Sequence, residues 1–447
     1  MNVQGKSVLV IGLGSSGQAA ASLLAGRGAR VTGVDENENE DLMKARGRLK
    51  KKGIEILLGC KKLPAKRRFD LVVLSPGVDP ARPLVMEVSG SGVPVIGELE
   101  AGFLFCRCPL VALTGTNGKT TTTELIDSIF RMNGKRSMAA GNIGMPLTEA
   151  CLKSGGMDVL VVEVSSFQLE TIRTFRPNVS LMMNITPDHF DRYPNLEAYA
   201  RAKARLWENQ TAEDWAVVNL DSEKFLAGLG LQTRARRMRY ALAPSNEADF
   251  WCEGSLVFER GFGQVFDLKE SRLRGQHNAE NVMAALAVAK TQGLDARRTL
   301  DAIRHYRPQP HRLETVRVRG GVEYVNDSKA TNIDAMEKAL TAFDRPILLI
   351  AGGKDKGFDF STVTPRLRSH VKVCLLIGEM AERMNHLWKD HVECAVAGTL
   401  EQAVRLAAEK AVSGDIVMLS PGCSSYDQFK NYEHRGQAFR DAVNKLK

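Results

Sequence analysis

The sequence of 447 residues contains no apolar run that approaches the roughly 18 residues needed to cross a bilayer. An apolar stretch follows Lys6, but Gly12, Gly14 and Ser15 interrupt it, so it predicts a strand, a turn and a helix better than a signal peptide. We therefore expect a cytoplasmic protein with no stable membrane insertion.

Cysteine is also sparse. Eight cysteines are scattered over the chain, which is not the density of a disulfide scaffold. Cys106 and Cys108 form a C-x-C pair, but no second pair or nearby histidine completes a zinc site. The sequence favours isolated thiols that are buried or incidental.

Aromatic residues are missing from the two most basic stretches, "KARGRLKKKG" (44–53) and "KKLPAKRRFD" (61–70), within their Lys/Arg clusters. The net charge is +9, from 61 basic and 52 acidic residues. Nucleic-acid binders commonly interleave basic residues with aromatics or carry a known module. We therefore predict solvated faces and no nucleic-acid partner, and an anionic small-molecule substrate is compatible with the charge.

The chain repeats the order strand, turn, helix, with continuous apolar strands of the kind that parallel sheets bury on both faces. This pattern predicts an α/β protein of three doubly wound domains, with boundaries at 1–96, 97–308 and 309–447. The proline-marked stretch "HYRPQPHRLE" (305–314) resembles a linker before the third domain. The candidate strands cover residues 7–12, 29–35, 69–77, 109–115, 157–165, 179–186, 345–353, 371–378 and 414–422.

A first glycine turn lies in "VLVIGLGSSGQAA" (8–20), where Gly12, Gly14 and Gly17 have the spacing G-x-G-x-x-G. Such a βα turn holds the pyrophosphate of a dinucleotide. Asp35 follows Gly17 by eighteen residues, which suits a ribose contact. An NAD-dependent oxidoreductase is therefore one open interpretation of this region.

A second glycine turn lies in "LVALTGTNGKTTTTELI" (110–126). Its glycines allow backbone N–H groups to surround phosphate oxygens, Lys119 reaches the outer phosphates, and the hydroxyl of Thr120 can bind Mg²⁺. Leu113 stands where the full phosphate-loop signature has glycine, so the loop is two residues shorter than the usual one. We predict a nucleotide-triphosphate site here.

Charged residues follow two further strands of the central region. Glu163 ends an apolar strand, where it is either a Mg²⁺ ligand or a cap of the next helix. His189 lies on a turn with Asp188 and Asp191, and the local pattern leaves its role open. Lys203 shares its helix with two arginines, and this pattern by itself predicts a solvated basic face.

The last region contributes three loops at strand ends: "YVNDSKATNIDA" (324–335), "AGGKDKGFDF" (351–360) and "SPGCSSYDQFKNYEHRG" (420–436). Each loop combines glycine with Lys, Asp, Ser or an aromatic residue. Three such loops in one domain predict a binding face.

Taken together, these motifs resemble those of the Mur ligases of peptidoglycan synthesis, over essentially the whole chain. The resemblance is carried by "GTNGKTTT", "EVSSFQLE", "NITPDHFDRY", "GQHNAENVMAA", "PHRLE", "NDSKATN" and the tail motif. The tail and "EVSSFQLE" are similar to the D-glutamate-adding members, and the D-N-P-R stretch expected in diaminopimelate-adding relatives is not found. Folate polyglutamate ligases share the phosphate loop but not the C-terminal loops.

The resemblance implies an ATP-dependent ligase that joins D-glutamate to UDP-N-acetylmuramoyl-L-alanine (UDP-MurNAc-L-Ala) through an acyl phosphate and works as a monomer. It implies three cofactors: ATP, Mg²⁺ at two sites, and a CO₂-derived carbamate on Lys203. The implied catalytic residues are Lys119, Glu163, His189, Lys203 and Lys329. The implied metal ligands are Thr120, Glu163, His189 and the carbamate of Lys203.

The resemblance also assigns the three substrates to residues. The implied ATP-binding residues are Gly115, Thr116, Asn117, Gly118, Lys119, Thr120, Thr121, Asn281, Arg312 and Asp327. The implied contacts of the UDP-linked substrate are Ser15, Ser16, Gly17, Asp35, Glu36, Ser75, Gly77 and Asn142. The implied D-glutamate contacts are Thr331, Lys356, Ser425, Tyr426 and Tyr432.

Three alternatives stay open at this point. The first is a related ligase that adds another amino acid. The second is the NAD-dependent oxidoreductase, which leaves the second phosphate loop and the C-terminal loops unexplained. The third is a non-enzymatic nucleotide-gated binding protein, against which the presence of Lys119, Glu163, His189 and Lys203 argues.

Overall fold

The structure is a computed structural model that describes residues 1–63, 67–190, 192–273 and 275–446. The chain forms two compact units. The first unit contains Met1–Ile185, Tyr199–Trp251 and Val282–Ile303, and the second contains Thr186–Ala198, Cys252–Asn281 and Arg304–Lys447. Within the described ranges, no helix combines the length and the apolar character needed to cross a membrane.

The N-terminal part of the first unit is a parallel sheet of five strands in the order β3-β2-β1-β4-β5. Side chains from β1 alternate between two apolar clusters, one with α1 and α2 and the other with α3, so helices cover both faces. The elements are β1 (Ser7–Ile11), α1 (Ser15–Gly26), β2 (Arg30–Val34), α2 (Glu40–Lys50), β3 (Glu55–Leu57), β4 (Leu71–Leu74), α3 (Pro83–Ser89), β5 (Val95–Gly97) and α4 (Glu98–Phe103).

Helix α4 connects this sheet to the next part of the same unit through a buried carboxylate. Glu100 is 1% exposed and accepts hydrogen bonds from the backbone N–H groups of Arg173, Thr174 and Phe175, each at 2.9 Å. The Thr174 hydroxyl donates to the same carboxylate at 2.5 Å. Because a buried carboxylate is costly unless it is fully hydrogen-bonded, this contact fixes α4 on residues 173–175.

The central region, from residue 110 to residue 305, is built on strands β12-β11-β10-β9-β6-β8-β7, which lie side by side in this order. The registered pairs between these strands are parallel, whereas β13 and β14 form an antiparallel hairpin. The strands are β6 (Leu110–Thr114), β7 (Ser137–Gly141), β8 (Val159–Glu163), β9 (Val179–Met182), β10 (Trp215–Asn219), β11 (Arg236–Ala241), β12 (Phe250–Glu253), β13 (Leu256–Glu259) and β14 (Gly263–Asp267). The helices are α5 (Lys119–Met132), α6 (Leu147–Ala150), α7 (Ser166–Leu169), α8 (Leu196–Ala204), α9 (Leu220–Gly228), α10 (Gln276–Thr291) and α11 (Ala296–His305).

The C-terminal region of the second unit is a sheet of six strands in the order β15-β16-β20-β17-β18-β19. Strand β15 is antiparallel to β16 and the other pairs are parallel. Strand β17 shows the two buried faces, because Ile347 and Leu349 pack with α12 to α14 while Leu348 and Ile350 pack with α15 and α16. The elements are β15 (Glu314–Arg319), β16 (Val322–Asn326), α12 (Ile333–Leu340), β17 (Ile347–Gly352), α13 (Thr364–His370), β18 (Val371–Ile377), α14 (Ala381–Trp388), β19 (Glu393–Gly398), α15 (Leu400–Lys410), β20 (Ile416–Leu419) and α16 (Tyr432–Asn444).

The α/β fold predicted from the sequence is confirmed, and each of the nine predicted strand segments contains a strand. The predicted segments are longer than the strands at several ends; for example, residues 69–77 contain the strand Leu71–Leu74. Sequence reasoning did not identify the strands between residues 215 and 267. Several of these are short or rich in polar residues, such as β11 with the sequence RRMRYA.

Candidate active site

The central glycine turn joins β6 to α5 and is held from the neighbouring strand. Gly118 has φ of +83°, a conformation that glycine adopts without strain, and Lys119 begins the helix. Asn184, which follows β9, accepts from Thr116 N–H through its carbonyl and from Asn117 N–H through its Oδ1, both at 2.8 Å. Its Nδ2 donates to the carbonyl of Asn117 at 3.2 Å. The turn is therefore rigid before any ligand binds.

Lys119 directs its ammonium back over this turn. Its Nζ donates to the carbonyls of Gly115 and Thr116, each at 2.8 Å. The helix that it begins adds positive potential from its free N–H groups at the same end. A phosphate chain placed on the turn meets this ammonium and the helix N-terminus together.

Lys203, on α8, contradicts the solvated basic face that its local pattern predicts. It is 1% exposed, and its Nζ donates to the carbonyl of Gly115 at 2.8 Å and lies 4.4 Å from the centre of the Tyr199 ring. The helix turns the lysine toward the phosphate turn, whereas its neighbour Arg201 stays exposed.

Glu163 ends β8, which pairs with β6 in the sheet. The carboxylate is 2% exposed, and its Oε1 accepts from Nδ2 of Asn142 at 2.9 Å. Its Oε2 is buried and has no hydrogen-bond partner among the residues that the structure describes. A buried carboxylate oxygen without a partner beside a phosphate turn fits a divalent cation such as Mg²⁺, which binds one or two carboxylates together with phosphate oxygens.

The loop that carries His189 belongs to the second unit. His189 has φ of +56°, and its backbone N–H donates to Oδ1 of Asp188 at 2.9 Å. The Asp188 carboxylate also accepts from Nδ2 of Asn332 at 3.2 Å and lies 3.9 Å from Nζ of Lys356. This places two predicted site residues, His189 and Lys356, on either side of one carboxylate. Asp191, which the sequence places on the same turn as Asp188 and His189, lies outside the described residues.

No group of three or more His, Cys, Asp or Glu side chains that could hold a metal occurs in the part of the chain that the structure describes. Thr120 and the phosphates of a bound nucleotide are not members of such a group.

The N-terminal glycine turn is shaped by close backbone packing. A Cβ on Gly17 would lie 1.8 Å from the carbonyl oxygen of Gly12, and one on Gly12 would lie 2.5 Å from Val78. Gly12 also has φ of +85°. Ser75, which is 8% exposed, follows the neighbouring strand and donates its backbone N–H to Ile11.

The other residues predicted to contact the UDP-linked substrate divide between two places. Asp35 accepts from the backbone N–H groups of Leu13 at 2.7 Å and Asn37 at 2.9 Å, so it supports the glycine turn directly. Glu36 pairs with Arg82 at 3.0 Å. Ser15, Ser16, Gly17, Asp35, Glu36, Ser75 and Gly77 all follow β1, β2 or β4 at the carboxyl edge of the first sheet. Asn142, by contrast, lies beside Glu163.

Three loops meet at the carboxyl edge of the C-terminal sheet because β16, β20 and β17 are neighbours. Asp327 follows β16, and its Oδ2 accepts from the Ser420 hydroxyl at 2.9 Å. Burial raises the pKa of Asp327 to about 7, against the opposing effects of the Ser420 hydrogen bond and of Arg312.

Arg435 is buried and connects the same loops through hydrogen bonds. It is 1% exposed and donates to the hydroxyl and carbonyl of Ser328 and to the carbonyls of Cys423 and Ser424. Burial lowers its pKa to about 10. A guanidinium with this many partners fixes the loops of β16 and β20 relative to each other.

The residues predicted to bind D-glutamate are distributed over these loops, together with Lys329, which is predicted to be catalytic. Lys329 places its ammonium 3.7 Å from the centre of the Tyr432 ring. Ser425 is 3% exposed and Thr331 is half-buried, whereas Tyr426 is 69% exposed. The structure thus brings Lys329 and Tyr432 into contact and directs Tyr426 to solvent.

Asn281 belongs to a short chain of side-chain contacts at the start of α10. Its Nδ2 donates to Oδ1 of Asn278 at 2.9 Å, and Asn278 contacts Nε2 of His277 at 3.0 Å. Burial, followed by the charges of Lys338 and Arg312, lowers the pKa of His277 to about 3, so the ring is neutral. This chain holds Asn281 in one orientation.

Sequence reasoning did not assign Asn184, Asp188 or Arg435 to the site. Asn184 and Asp188 both follow the strand that precedes His189, which was the available signal. Arg435 has no signal in the sequence, because an arginine in a polar tail segment is ordinarily exposed.

The central sheet combines a glycine turn, a lysine at the start of the following helix, and a carboxylate at the end of the strand that neighbours β6 in the sheet. These features define a nucleotide-triphosphate-binding α/β protein. The comparisons with known proteins refine this class. The chain matches the Mur ligase MurD-like N-terminal domain over residues 6–97, the Mur ligase middle domain over 113–289 and the Mur ligase glutamate ligase domain over 311–423. The protein therefore belongs to the Mur ligase family and has its three-domain α/β fold.

Curated relatives are similar over their full length. The UDP-N-acetylmuramoylalanine--D-glutamate ligase of Trichlorobacter lovleyi is 43% identical, covering 100% of both chains. The protein of the same name from Acidobacterium capsulatum is 42% identical over 99% of this chain and 97% of its own. Among solved structures, the MurF ligase of Thermotoga maritima in complex with ADP has a TM-score of 0.62 at 15% identity, covering 99% of this chain and 96% of that one, and supports the fold.

Proposed function

We propose that this protein is an ATP-dependent ligase that adds D-glutamate to UDP-MurNAc-L-Ala in peptidoglycan precursor synthesis. The observation that carries the proposal is the 43% identity, over the whole chain, to a ligase of that name. The half-buried Lys119, with the buried Lys203 and Glu163, supplies around the phosphate turn the chemistry that such an activity needs.

ATP is expected to lie with its phosphates on residues 115–121. The alanyl carboxylate of the substrate attacks the γ-phosphate, which gives an acyl phosphate and ADP. Lys119 lies where it can neutralise the negative charge that develops on the transferred phosphoryl group. The helix N-terminus behind it acts in the same direction.

Mg²⁺ bound by Glu163 and Thr120 would supply further neutralisation of the phosphates. The open Oε2 of Glu163 supports this assignment. We assign His189 to a second metal, and we assign a carbamate on Lys203 to the metal ligands. The burial of Lys203 and its contact with the phosphate turn support its assignment to this site. Mass spectrometry under CO₂ tests the carbamate directly.

The amine of D-glutamate then attacks the acyl phosphate and displaces inorganic phosphate. The ammonium group of Lys356 belongs to a C-terminal loop and offers a charge that matches a carboxylate of the amino acid, and Lys329, from a neighbouring loop, is assigned a catalytic place near the reacting groups. Thr331, Ser425, Tyr426 and Tyr432 are assigned to the same substrate. Asn281, Arg312 and Asp327 are assigned to the nucleotide.

The uridine diphosphate end of the substrate is assigned to the N-terminal turn. The backbone N–H groups of α1 face the carboxyl edge of the first sheet, where a diphosphate is stabilised without taking part in the reaction. We further propose that the protein acts as a cytoplasmic monomer on these small molecules. Size-exclusion chromatography with light scattering tests the monomer.

The deciding experiment measures phosphate release from ATP in the presence of UDP-MurNAc-L-Ala. D-glutamate, L-glutamate, L-lysine and diaminopimelate are compared as the second substrate. We expect release and a new amide product only with D-glutamate. Product formation with another amino acid and not with D-glutamate would replace the proposed substrate with that amino acid.

A second readout separates the ligase from the oxidoreductase that the first glycine turn also suggested. Binding of NAD is measured by calorimetry beside binding of UDP-MurNAc-L-Ala. We expect binding of the UDP-linked substrate alone. NAD binding at the N-terminal turn would contradict the assignment of that turn.

A further inference from the structure

The segment between α4 and β6 contains two thiols that the ligase reaction does not use. Cys106 and Cys108 are separated by one residue, and their Sγ atoms lie 3.9 Å apart. Both cysteines are reduced and half-buried. A disulfide has a sulfur–sulfur distance of about 2.0 Å, so the two atoms must approach by about 2 Å to form one.

The backbone around the pair is fixed on both sides. Cys106 N–H donates to the carbonyl of Phe103 at 3.0 Å, and Arg107 N–H donates to the Ser154 hydroxyl oxygen at 2.9 Å. Ser154 in turn donates to the carbonyl of Cys151 at 2.7 Å. The carbonyl of Pro109 accepts from Leu160 N–H at 3.0 Å. Rotation of the two cysteine side chains is therefore the available route to a shorter sulfur–sulfur distance.

The two thiols differ in their electrostatics. The hydrogen-bond contact between the two Sγ atoms lowers the pKa of Cys106 to about 6, and the same contact raises the pKa of Cys108. The titratable groups coupled to the pair include Cys151, whose pKa Cys106 raises, and Asp158, which raises the pKa of Cys108, and Arg107 stands between the two cysteines in the sequence. Arg27 and Glu98 act on Cys151. Cys106 is therefore the thiol of the pair that ionises more readily, and Cys108 the one that keeps its proton more strongly.

We propose that Cys106 and Cys108 form a dithiol site that hydroperoxides oxidise reversibly to an intramolecular disulfide. The Cys106 thiolate attacks the outer oxygen of the hydroperoxide, the O–O bond breaks, and the alkoxide or hydroxide leaves with a proton from solvent. Cys106 is then a sulfenic acid. The Cys108 sulfur attacks the Cys106 sulfur, the S–O bond breaks, and water leaves with the Cys108 proton. Two thiols and one hydroperoxide give one disulfide, one alcohol or water, and one water.

Other cysteines of the chain provide internal comparisons. Cys60 is half-buried, so it reports on oxidation of a single accessible thiol. Cys374 and Cys394 are register partners on β18 and β19, but Cys374 is 0% exposed and is closed to a dissolved oxidant. The C-x-C pair is the pair whose two members are both partly accessible and whose Sγ contact is direct.

The experiment treats the full-length protein with hydrogen peroxide, blocks remaining thiols by alkylation, and digests the protein with a glutamate-specific protease. Cleavage after Glu100 and Glu124 releases one peptide, residues 101–124, that contains both cysteines. We expect this peptide to lose the mass of two hydrogens and to escape alkylation, and dithiothreitol to restore both changes. Oxidation of Cys60 without disulfide formation in peptide 101–124 would overturn the proposal, and so would direct conversion of Cys106 to the sulfinic acid.

Variants at Cys108 assign the two roles. In Cys108→Ala, we expect a sulfenic acid on Cys106 that dimedone traps and that does not proceed to a disulfide. At pH 6, we expect alkylation of Cys106 to be about tenfold slower in Cys108→Ala than in the parent protein, since the thiolate fraction falls by more than the nucleophilicity rises. Cys108→Ser keeps a hydroxyl donor and should recover part of this rate.

The control variant Cys394→Ser removes a thiol from the other cysteine pair. It should leave disulfide formation and the alkylation rate of Cys106 unchanged. Equal alkylation rates of Cys106 in the parent protein and in Cys108→Ala would show that Cys108 does not activate it, and would overturn the assignment of roles.

Discussion

The two glycine turns of the first unit have similar local architecture and different chemistry. Each follows a buried parallel strand and leads into a helix whose N-cap is a glycine, Gly14 in the first turn and Gly118 in the second. The first residue of the helix is Ser15 in one case and Lys119 in the other. Both turns thus present backbone N–H groups to an anion.

The turns differ in what surrounds the anion position. The N-terminal turn is stabilised by the Asp35 carboxylate, which accepts a hydrogen bond from Leu13 N–H, and by the close packing of Gly17 against the Gly12 carbonyl. At the central turn, the ammonium groups of Lys119 and Lys203 donate to backbone carbonyls, and Glu163, at the end of the neighbouring strand, has a carboxylate oxygen without a partner within the described part of the chain. A glycine turn by itself therefore indicates phosphate binding, and the charged side chains from other strands and helices decide whether phosphate chemistry follows.

The largest effect is expected from Glu163→Gln. Loss of the charge on the proposed Mg²⁺ ligand should lower kcat by about 100- to 1,000-fold, because one electrostatic contact to the transition state has this order of effect. Phosphate release with all three substrates is the measurement. Glu36→Gln changes an acidic residue beside the N-terminal turn and should leave kcat within about twofold, since its partner is the surface residue Arg82. Equal losses in both variants would break the distinction between the turns.

A second test replaces the first residue of each of the two helices with alanine. Lys119→Ala should lower kcat about 100-fold, because the ammonium over the central turn is lost. Ser15→Ala should leave kcat unchanged and raise KM for the UDP-linked substrate a few-fold, because one hydrogen-bonding group is lost. Steady-state kinetics with each substrate varied in turn distinguishes these effects. A large fall in kcat for Ser15→Ala would place the N-terminal turn in the reaction itself.

A third test concerns packing in the N-terminal turn. Gly17→Ala should destabilise the fold by about 1–3 kcal/mol, because its Cβ would overlap the Gly12 carbonyl and backbone has to shift. Gly14→Ala meets nothing within 4 Å and has a negative φ, so its cost should stay below about 1 kcal/mol. Urea unfolding of both variants measures the difference. Equal midpoints would show that the turn adapts to a side chain.

The smallest effect is expected from Asp35→Asn. The amide oxygen still accepts one backbone hydrogen bond in the N-terminal turn, but the charge is lost, which should cost about 1 kcal/mol of stability. KM for the UDP-linked substrate should rise a few-fold with kcat unchanged. Unfolding and kinetics are both measured. An unchanged KM would remove Asp35 from the substrate site and leave it a purely structural residue.

Much of the fold was predictable from the sequence. Strands such as Ile347–Gly352 and Val159–Glu163 are continuous apolar runs, and burial on both faces makes this pattern readable without knowledge of their neighbours. The strands at the polar edge of the central sheet, such as Arg236–Ala241, lack that pattern and were missed. Their pairing comes from strands already in place and not from their own sequence.

The site was predictable in part. The position of Lys119 follows from the turn that precedes it, and that of Glu163 from its strand end, because both are local features. Lys203 was different. Its own helix predicts exposure, and its contact with Gly115 spans 88 positions in the chain. Family resemblance pointed to Lys203 where local reasoning did not.

By itself, the sequence determined which segments form buried strands and where the two glycine turns lie, because these depend on apolar runs and on residues within a few positions. Only the tertiary structure decided what meets at the central turn. The order β9-β6-β8 brings Asn184 and Glu163 to either side of the turn, and α8 adds a buried lysine. Such contacts join residues far apart in sequence, so their geometry is fixed by strand order and packing and not by any local pattern.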